Sequence, residues 1–153
     1  MNSFGKVVLS MVVTCLFSAI PASAQIIYGL DFTTSFPFYV GNAQMPAGSY
    51  KVTQSDMDDA ILLIRSIDGS HAALIDFMPT HSDTYHASSD VTFHKYGNTE
   101  YLNRLWVEGQ QYGMKVEPTK AESKLAASTN TVEHSLAANK LSRKGEAASL
   151  DPH

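Results

Sequence analysis

The feature that most constrains the fold is a short-period alternation of apolar and polar residues over residues 36–117. A period of two puts successive side chains on opposite faces of an extended chain, so each run predicts a half-buried β-strand. Turn residues separate the runs, and the Asp68-Gly69 pair is typical of a tight hairpin. The predicted fold is therefore all-β, a small antiparallel sandwich or open barrel of about seven strands within residues 25–118.

The sequence pattern changes after Pro118. Thr119 and Glu122 have the spacing of a helix capping box, and the segment KAESKLAAS contains good helix formers. Residues 119–129 are therefore predicted to form a short helix. Residues 130–153 are rich in Ala, Ser, Asn and Lys, so they are expected to bury little surface and to form a mostly disordered tail.

Residues 1–24 have the pattern of a secretory signal peptide. Lys6 precedes the apolar run VVLSMVVTCLFSAI, and the small-residue motif ASA follows it. A membrane helix needs about 20 apolar residues, and Pro21 ends this run earlier. Cleavage is expected after Ala24, which predicts a periplasmic or secreted protein that begins at Gln25 and has no transmembrane segment.

Cysteine content and charge limit the expected chemistry. Cys15 is the only cysteine and lies in the predicted signal, so the mature chain has no disulfide, thiol nucleophile or thiolate ligand. Loss of residues 1–24 removes one lysine and no acid, which leaves 10 basic and 15 acidic residues and a net charge of −5. Nucleic acid and anionic membranes require a basic surface, so neither is an expected partner.

The segment VTFHKYGNTEYLNRLWV, residues 91–107, is predicted to be a hairpin that turns at Gly97-Asn98. Because side chains alternate, the hairpin should have one core face and one outer face. The predicted core face carries Val91, Phe93, Leu102 and Trp106. The predicted outer face carries the candidate binding residues His94, Tyr96 and Tyr101. An ordinary solvated sheet face is the alternative interpretation of these three side chains.

Three histidines are candidate metal ligands, because imidazole binds zinc and copper well. They are His81, His86 and His94, and their spacing matches no familiar ligand motif. The first two lie in a polar connection and His94 lies on a predicted strand, so solvated histidines are the alternative. No cofactor is predicted, and the acidic SDMDD segment lacks the glycine and closing glutamate of a calcium loop.

No catalytic residue is predicted from the sequence. Ser82 lies between His81 and Asp83, but neighbours on an extended chain point in opposite directions and cannot form a relay. The chain also lacks a nucleophile-elbow motif and a glycine-rich phosphate loop. A small hydrolase without a recognisable motif remains an alternative, as does a histidine-based metal-binding or metal-dependent protein.

Four segments of the chain together resemble a known family: FPFYVGNAQMPAGSYKV, ILLIRSIDGS, VTFHKYGNTEYLNRLWV and EPTKAESKLA. In that order they are similar to small, uncharacterised secreted proteins common in soil bacteria. Members of that family carry a PF-x-F-like strand, a Leu-Pro-Ala-Gly-x-Tyr-x-Val segment, a Phe-His-x-Tyr-Gly strand and a polar helix rich in Ser, Ala and Glu. The resemblance covers residues 36–126, and Met45 stands where the family more often has leucine, a volume-conserving change.

The resemblance implies export and a compact β-fold, and it implies no activity and no catalytic residue. The residues and the resemblance thus predict the same class of protein. That class is an exported, non-enzymatic β-domain whose expected partner is a cell-envelope component or a small molecule.

Overall fold

A computed structural model describes the chain from Gly29 to Leu141. The predicted signal peptide, and the part of the predicted tail after residue 141, lie outside the described residues. Within this range the chain forms ten strands and one helix. The strands are β1 (Leu30–Thr34), β2 (Phe38–Val40), β3 (Ala43–Met45), β4 (Gly48–Gln54), β5 (Ile61–Ser66), β6 (Ala72–His81), β7 (Ser89–Tyr96), β8 (Thr99–Trp106), β9 (Tyr112–Val116) and β10 (Thr131–Lys140), and the helix is α1 (Lys120–Ser128).

Eight of these strands close into an antiparallel barrel. Around the barrel they follow the order β8-β7-β10-β1-β4-β5-β6-β9, and β9 pairs back with β8 to complete the ring. The β2–β3 hairpin joins β8 through a short parallel pairing of Tyr39 with Tyr101. The predicted all-β fold is confirmed, and the barrel is closed rather than open.

Closure depends on β10, a strand in the segment predicted to be a disordered tail. The prediction is wrong for residues 131–140, because β10 lies between β7 and β1. It pairs with β7 through eight residue pairs and with β1 through three. Few of its side chains are apolar, but its backbone groups gain partners on both sides, and this offsets the entropy of ordering the segment. A prediction based on amino-acid composition does not include the contribution of these backbone hydrogen bonds.

Aromatic rings pack against one another in the interior of the barrel. The ring of Phe93 lies with its centroid 5.4 Å from those of Phe36 and Phe38. Phe32 stacks on Tyr50 at 5.6 Å, and the Tyr50 hydroxyl donates a hydrogen bond to the Pro46 carbonyl. Edge-to-face and offset arrangements of this kind are those that aromatic pairs prefer. Phe93 was predicted to be a core residue, and its burial confirms this.

The β7–β8 hairpin has the predicted turn and one unpredicted irregularity. Tyr96 pairs with Thr99 across the Gly97-Asn98 turn. The register then shifts between Thr92 and Phe93, and the extra residue on β8 forms a β-bulge. Beyond the bulge Leu105 faces the core, whereas Trp106 lies on the outer face. Trp106 is buried, as predicted, but its predicted face is wrong, because one inserted residue reverses the faces of the strand beyond it.

The helix α1 connects β9 to β10 and begins as its sequence predicts. The Thr119 side chain accepts a hydrogen bond from the backbone N–H of Glu122, which caps the first turn. Glu122 is the one buried residue of the helix. The helix therefore rests on the barrel through a carboxylate rather than through an apolar face. Between residues 29 and 141 no helix has the length and hydropathy needed to cross a membrane.

Candidate functional site

The three predicted binding residues lie together on the outer face of β7 and β8. His94 pairs directly with Tyr101, and the rings of Tyr96 and Tyr101 are 5.9 Å apart. Two glutamates from later elements complete the group: α1 brings Glu122 over these rings, and β10 places Glu133 opposite His94. We call these five residues, His94, Tyr96, Tyr101, Glu122 and Glu133, the outer-wall cluster.

The Glu122 carboxylate is the buried centre of the outer-wall cluster. The residue is only 4% exposed, and the Tyr96 hydroxyl donates a 3.2 Å hydrogen bond to its Oε1. His94 Nδ1 lies 3.6 Å from the same oxygen. Burial raises the pKa of Glu122, while the Tyr96 hydrogen bond, His94 and the Thr119 backbone act in the opposite direction. The groups around the Glu122 carboxylate are thus a phenol, an imidazole and a backbone N–H, and none of them carries a permanent positive charge.

The other ring nitrogen of His94 faces the second carboxylate. His94 Nε2 is 3.3 Å from Glu133 Oε2, and the amide of Asn103 donates a 3.4 Å hydrogen bond to that oxygen. The side chains of His94 and Glu133 are 26% and 49% exposed. The imidazole therefore lies between two carboxylates, and solvent reaches the cluster from the β10 side.

The tyrosines of the cluster are more buried than a solvated sheet face would allow. The alternation predicted Tyr96 and Tyr101 on the outer face, and the structure places them there, but both are buried. The Tyr39 ring stacks on Tyr101 at 5.1 Å, and Glu122 of the helix lies against Tyr96. Burial is the main cause that raises the pKa of both phenols. The helix and the β2 strand thus cover part of this face.

The structure does not bring the three candidate metal ligands together. His81 ends β6 with its ring 5.0 Å from Tyr112, and His86 stacks on Trp106, whereas His94 belongs to the outer-wall cluster. In the part of the chain that the structure describes, no group of three His, Cys, Asp or Glu side chains could hold a metal ion. The two ring nitrogens of His94 also face different carboxylates, so a metal ion bound to one nitrogen would lie on the side of only one of them.

A second polar group lies further along the same face and buries the tryptophan. Trp106 is only 7% exposed although it lies outside the core. Its ring covers Gly113, where an added Cβ would lie 2.5 Å from the Trp106 Cε3 atom. The His86 ring stacks above it at 4.0 Å, and His86 Nδ1 is 3.9 Å from an Asp90 carboxylate oxygen. Burial raises the pKa of Asp90. This arrangement packs a large side chain onto the outside of the barrel.

A cleft of about 450 Å³ at the β5–β6 turn contains a serine, a histidine and an aspartate but not a catalytic relay. Asp68 accepts hydrogen bonds from the hydroxyls of Ser66 and Ser70, which lower its pKa to about 2. Ser70 Oγ lies 2.7 Å from His71 Nδ1. In a relay the carboxylate orients the imidazole, whereas here it accepts hydrogen bonds from both hydroxyls. The hydrogen bonds stabilise the turn.

Sequence reasoning missed both glutamates of the outer-wall cluster. The sequence identifies Glu122 as part of a capping box, and a capping box does not predict that the Glu122 carboxylate also contacts Tyr96 on the barrel. Glu133 lay in the segment predicted to be a tail. A signal did exist there, because Val132, His134, Leu136 and Ala138 alternate with polar or small residues at the period of a strand.

Comparison with known proteins adds no further constraint on the site. No protein-family model, curated protein or solved structure matches the chain. The resemblance to small secreted proteins of soil bacteria stays a prediction. The outer-wall cluster is the feature on which a functional proposal can rest.

Proposed function

We propose that the chain is an exported, non-enzymatic binding domain that takes a small organic cation, such as an alkylamine, at the outer-wall cluster. The carrying observation is the buried Glu122 carboxylate, which lies against His94 and the Tyr96 hydroxyl, with the Glu133 carboxylate at the other ring nitrogen of His94. A buried carboxylate is costly unless a cation or strong donors compensate it. Among residues 29–141, neither Glu122 nor Glu133 forms an ion pair with a lysine or arginine.

An ammonium group matches the chemistry of this surface. It carries donors but no acceptor, and carboxylate oxygens of Glu122 and Glu133 are the acceptors on either side of His94. The Tyr96 and Tyr101 rings lie beside the carboxylates, and an aromatic face attracts a cation within about 6 Å. The ligand would enter past Glu133, the most exposed member of the cluster.

The charge of the whole chain favours the same class of ligand. The formal net charge is −4, and an acidic surface raises the local concentration of small cations. Export is supported by the signal pattern of residues 1–24. The mass of the secreted protein would test cleavage after Ala24: a start at Gln25, or its cyclised form, is expected, and a lipid-modified mass starting at Cys15 contradicts that cleavage site.

Titration calorimetry of the mature protein with an alkylamine series tests the binding. Primary amines and a quaternary ammonium ion should bind one to one and raise the melting temperature, whereas carboxylates and alcohols of equal size should do neither. Glu133→Gln should weaken amine binding by about tenfold, because it removes one charge-assisted contact. Glu133 makes no described contact with α1, so its loss does not release the helix.

Glu108→Gln is the matched control, since Glu108 is an exposed glutamate away from the cluster. It should leave amine affinity unchanged. The proposal fails if no cation in the series binds, or if Glu133→Gln and Glu108→Gln bind amines equally well.

A further inference from the structure

The outer face of β5 and β6 exposes a strip of large apolar side chains. Leu63 pairs directly with Leu74 across the two strands. Leu74 and Met78 are 54% and 50% exposed, and Ile61 continues the strip towards the start of β5. We call Ile61, Leu63, Leu74 and Met78 the apolar strip. Large apolar side chains grouped on a soluble surface, with charges at their margins, mark an interface more often than single exposed residues do.

Charges of opposite sign lie at the two ends of β5, beside the apolar strip. Lys51 and Arg65 are paired neighbours on β4 and β5 at one end. Asp76 lies opposite Ile61 at the other end of β5, between Leu74 and Met78 on β6, and the acidic SDMDD connection between β4 and β5 is at that end too. Within the described part of the chain, no salt bridge joins Lys51, Arg65 or Asp76 to another residue.

Two further charges border this surface. Asp68 follows the basic end, but its carboxylate is occupied by hydrogen bonds from Ser66 and Ser70. Lys115 on β9 pairs with Met78 on β6. A cation therefore lies beside the acidic end, on the side of β9. The two ends of β5 themselves keep opposite signs.

We propose that this face binds the same face of a second copy of the chain, with the strands of the two copies running in opposite directions. A two-fold symmetric contact uses one surface on both partners, so that surface must complement itself. A two-fold axis across the strands places the basic end of each copy over the acidic end of the other. An axis along the strands would place like charges together. Charge complementarity therefore selects the antiparallel arrangement, which also lays each apolar strip on its counterpart.

The dimer would leave the outer-wall cluster open. The cluster lies on β7, β8 and β10 and the helix, whereas the apolar strip lies on β5 and β6. The strand β9 separates the two surfaces on one side of the ring, and β1 and β4 separate them on the other. Dimer formation is thus independent of the proposed amine site, and the failure of one proposal does not affect the other.

Sedimentation equilibrium of the mature protein tests the dimer. A monomer–dimer equilibrium is expected, and it should weaken at high salt because the charges at the rim are screened. Arg65→Glu and Asp76→Arg should each weaken the dimer by about tenfold or more, since each change places like charges together twice in a symmetric interface. The double variant, Arg65→Glu with Asp76→Arg, should restore the dimer.

Two lysine substitutions separate this surface from other exposed apolar residues. Leu74→Lys should give a monomer, whereas Val132→Lys should leave the dimer intact, because Val132 is an exposed apolar residue on β10. Circular dichroism establishes that each variant is folded, and Leu74→Ser replaces Leu74→Lys if the latter unfolds. The inference is overturned if the protein stays monomeric, if the charge reversals have no effect, if the double variant does not restore association, or if Val132→Lys dissociates the dimer.

Discussion

Removing β10 should unfold the barrel, because this strand supplies backbone partners on two sides. A chain that ends at Asn130 loses eight residue pairs with β7 and three with β1. An antiparallel ladder forms about one hydrogen bond per residue pair, and each contributes about 0.5–1.5 kcal/mol net. The loss is therefore on the order of 5–15 kcal/mol, as large as the whole stability of a typical domain. We expect no cooperative unfolding transition in this truncated chain.

A truncation after Leu141 and a pair of point variants supply the controls. The chain that ends at Leu141 keeps every strand pairing of the barrel and should melt cooperatively. Ala138 faces inward and is buried, whereas its neighbour Ala137 faces outward and is exposed. Ala138→Lys should therefore lower the free energy of unfolding by several kcal/mol, on the order of a buried unpaired charge, and Ala137→Lys should change it little. The argument for β10 is refuted if the chain ending at Asn130 melts cooperatively within a few degrees of the full chain.

Three further predictions concern the hairpin and the outer-wall cluster. Leu105→Ala should cost about 2–5 kcal/mol in chemical denaturation, as a core truncation, whereas Val132→Ala, at an exposed apolar residue on β10, should cost less than about 0.5 kcal/mol; equal costs would mean that Leu105 is not in the core. Gly113→Ala should displace the Trp106 ring, because the new Cβ would lie 2.5 Å from Trp106 Cε3 and 2.7 Å from the Leu105 carbonyl oxygen. A red shift of tryptophan fluorescence would show this displacement, and an unchanged spectrum would contradict it. Burial in the folded state raises the pKa of Glu122 above 4.5, so its contribution to stability is present at low pH and is lost as the pH rises through the raised pKa. Glu122→Gln should therefore flatten the fall in melting temperature above about pH 4.5. An unchanged pH profile would count against a buried Glu122.

The strands that the sequence predicted are those whose pattern is local. Seven alternating runs between residues 36 and 117 correspond to β2 and to β4–β9, and the capping box at Thr119 correctly begins the helix. The missed strands had weaker local signals. β1 (LDFTT) and β3 (AQM) carry only two and one large apolar side chains, and β10 mixes apolar positions with Ala, Ser and Asn. Closure of the barrel could not be predicted without β10.

Only those residues of the outer-wall cluster that lie on the β7–β8 hairpin could be predicted from the sequence. Alternation with a tight turn placed His94, Tyr96 and Tyr101 on one face, because the turn fixes the register near it. Glu122 and Glu133 reach that face from α1 and from β10, which are distant in sequence. Their position depends on how the chain crosses from β9 to β10, and no local sequence pattern predicts the course of that crossing.

The bulge in β8 explains why one half of the hairpin followed prediction and the other half did not. Register is fixed at the turn, so the residues between the turn and the bulge, including Tyr101, keep their predicted faces. Asn103 is the extra residue, and every side chain beyond it changes face, which exchanges Leu105 for Trp106 in the core. The same residue donates its amide hydrogen bond to the Glu133 oxygen that His94 approaches. Bulges often re-aim side chains near functional sites, and here one inserted residue both moves Trp106 to the outer face, where His86 covers it, and donates a hydrogen bond to a carboxylate of the cluster.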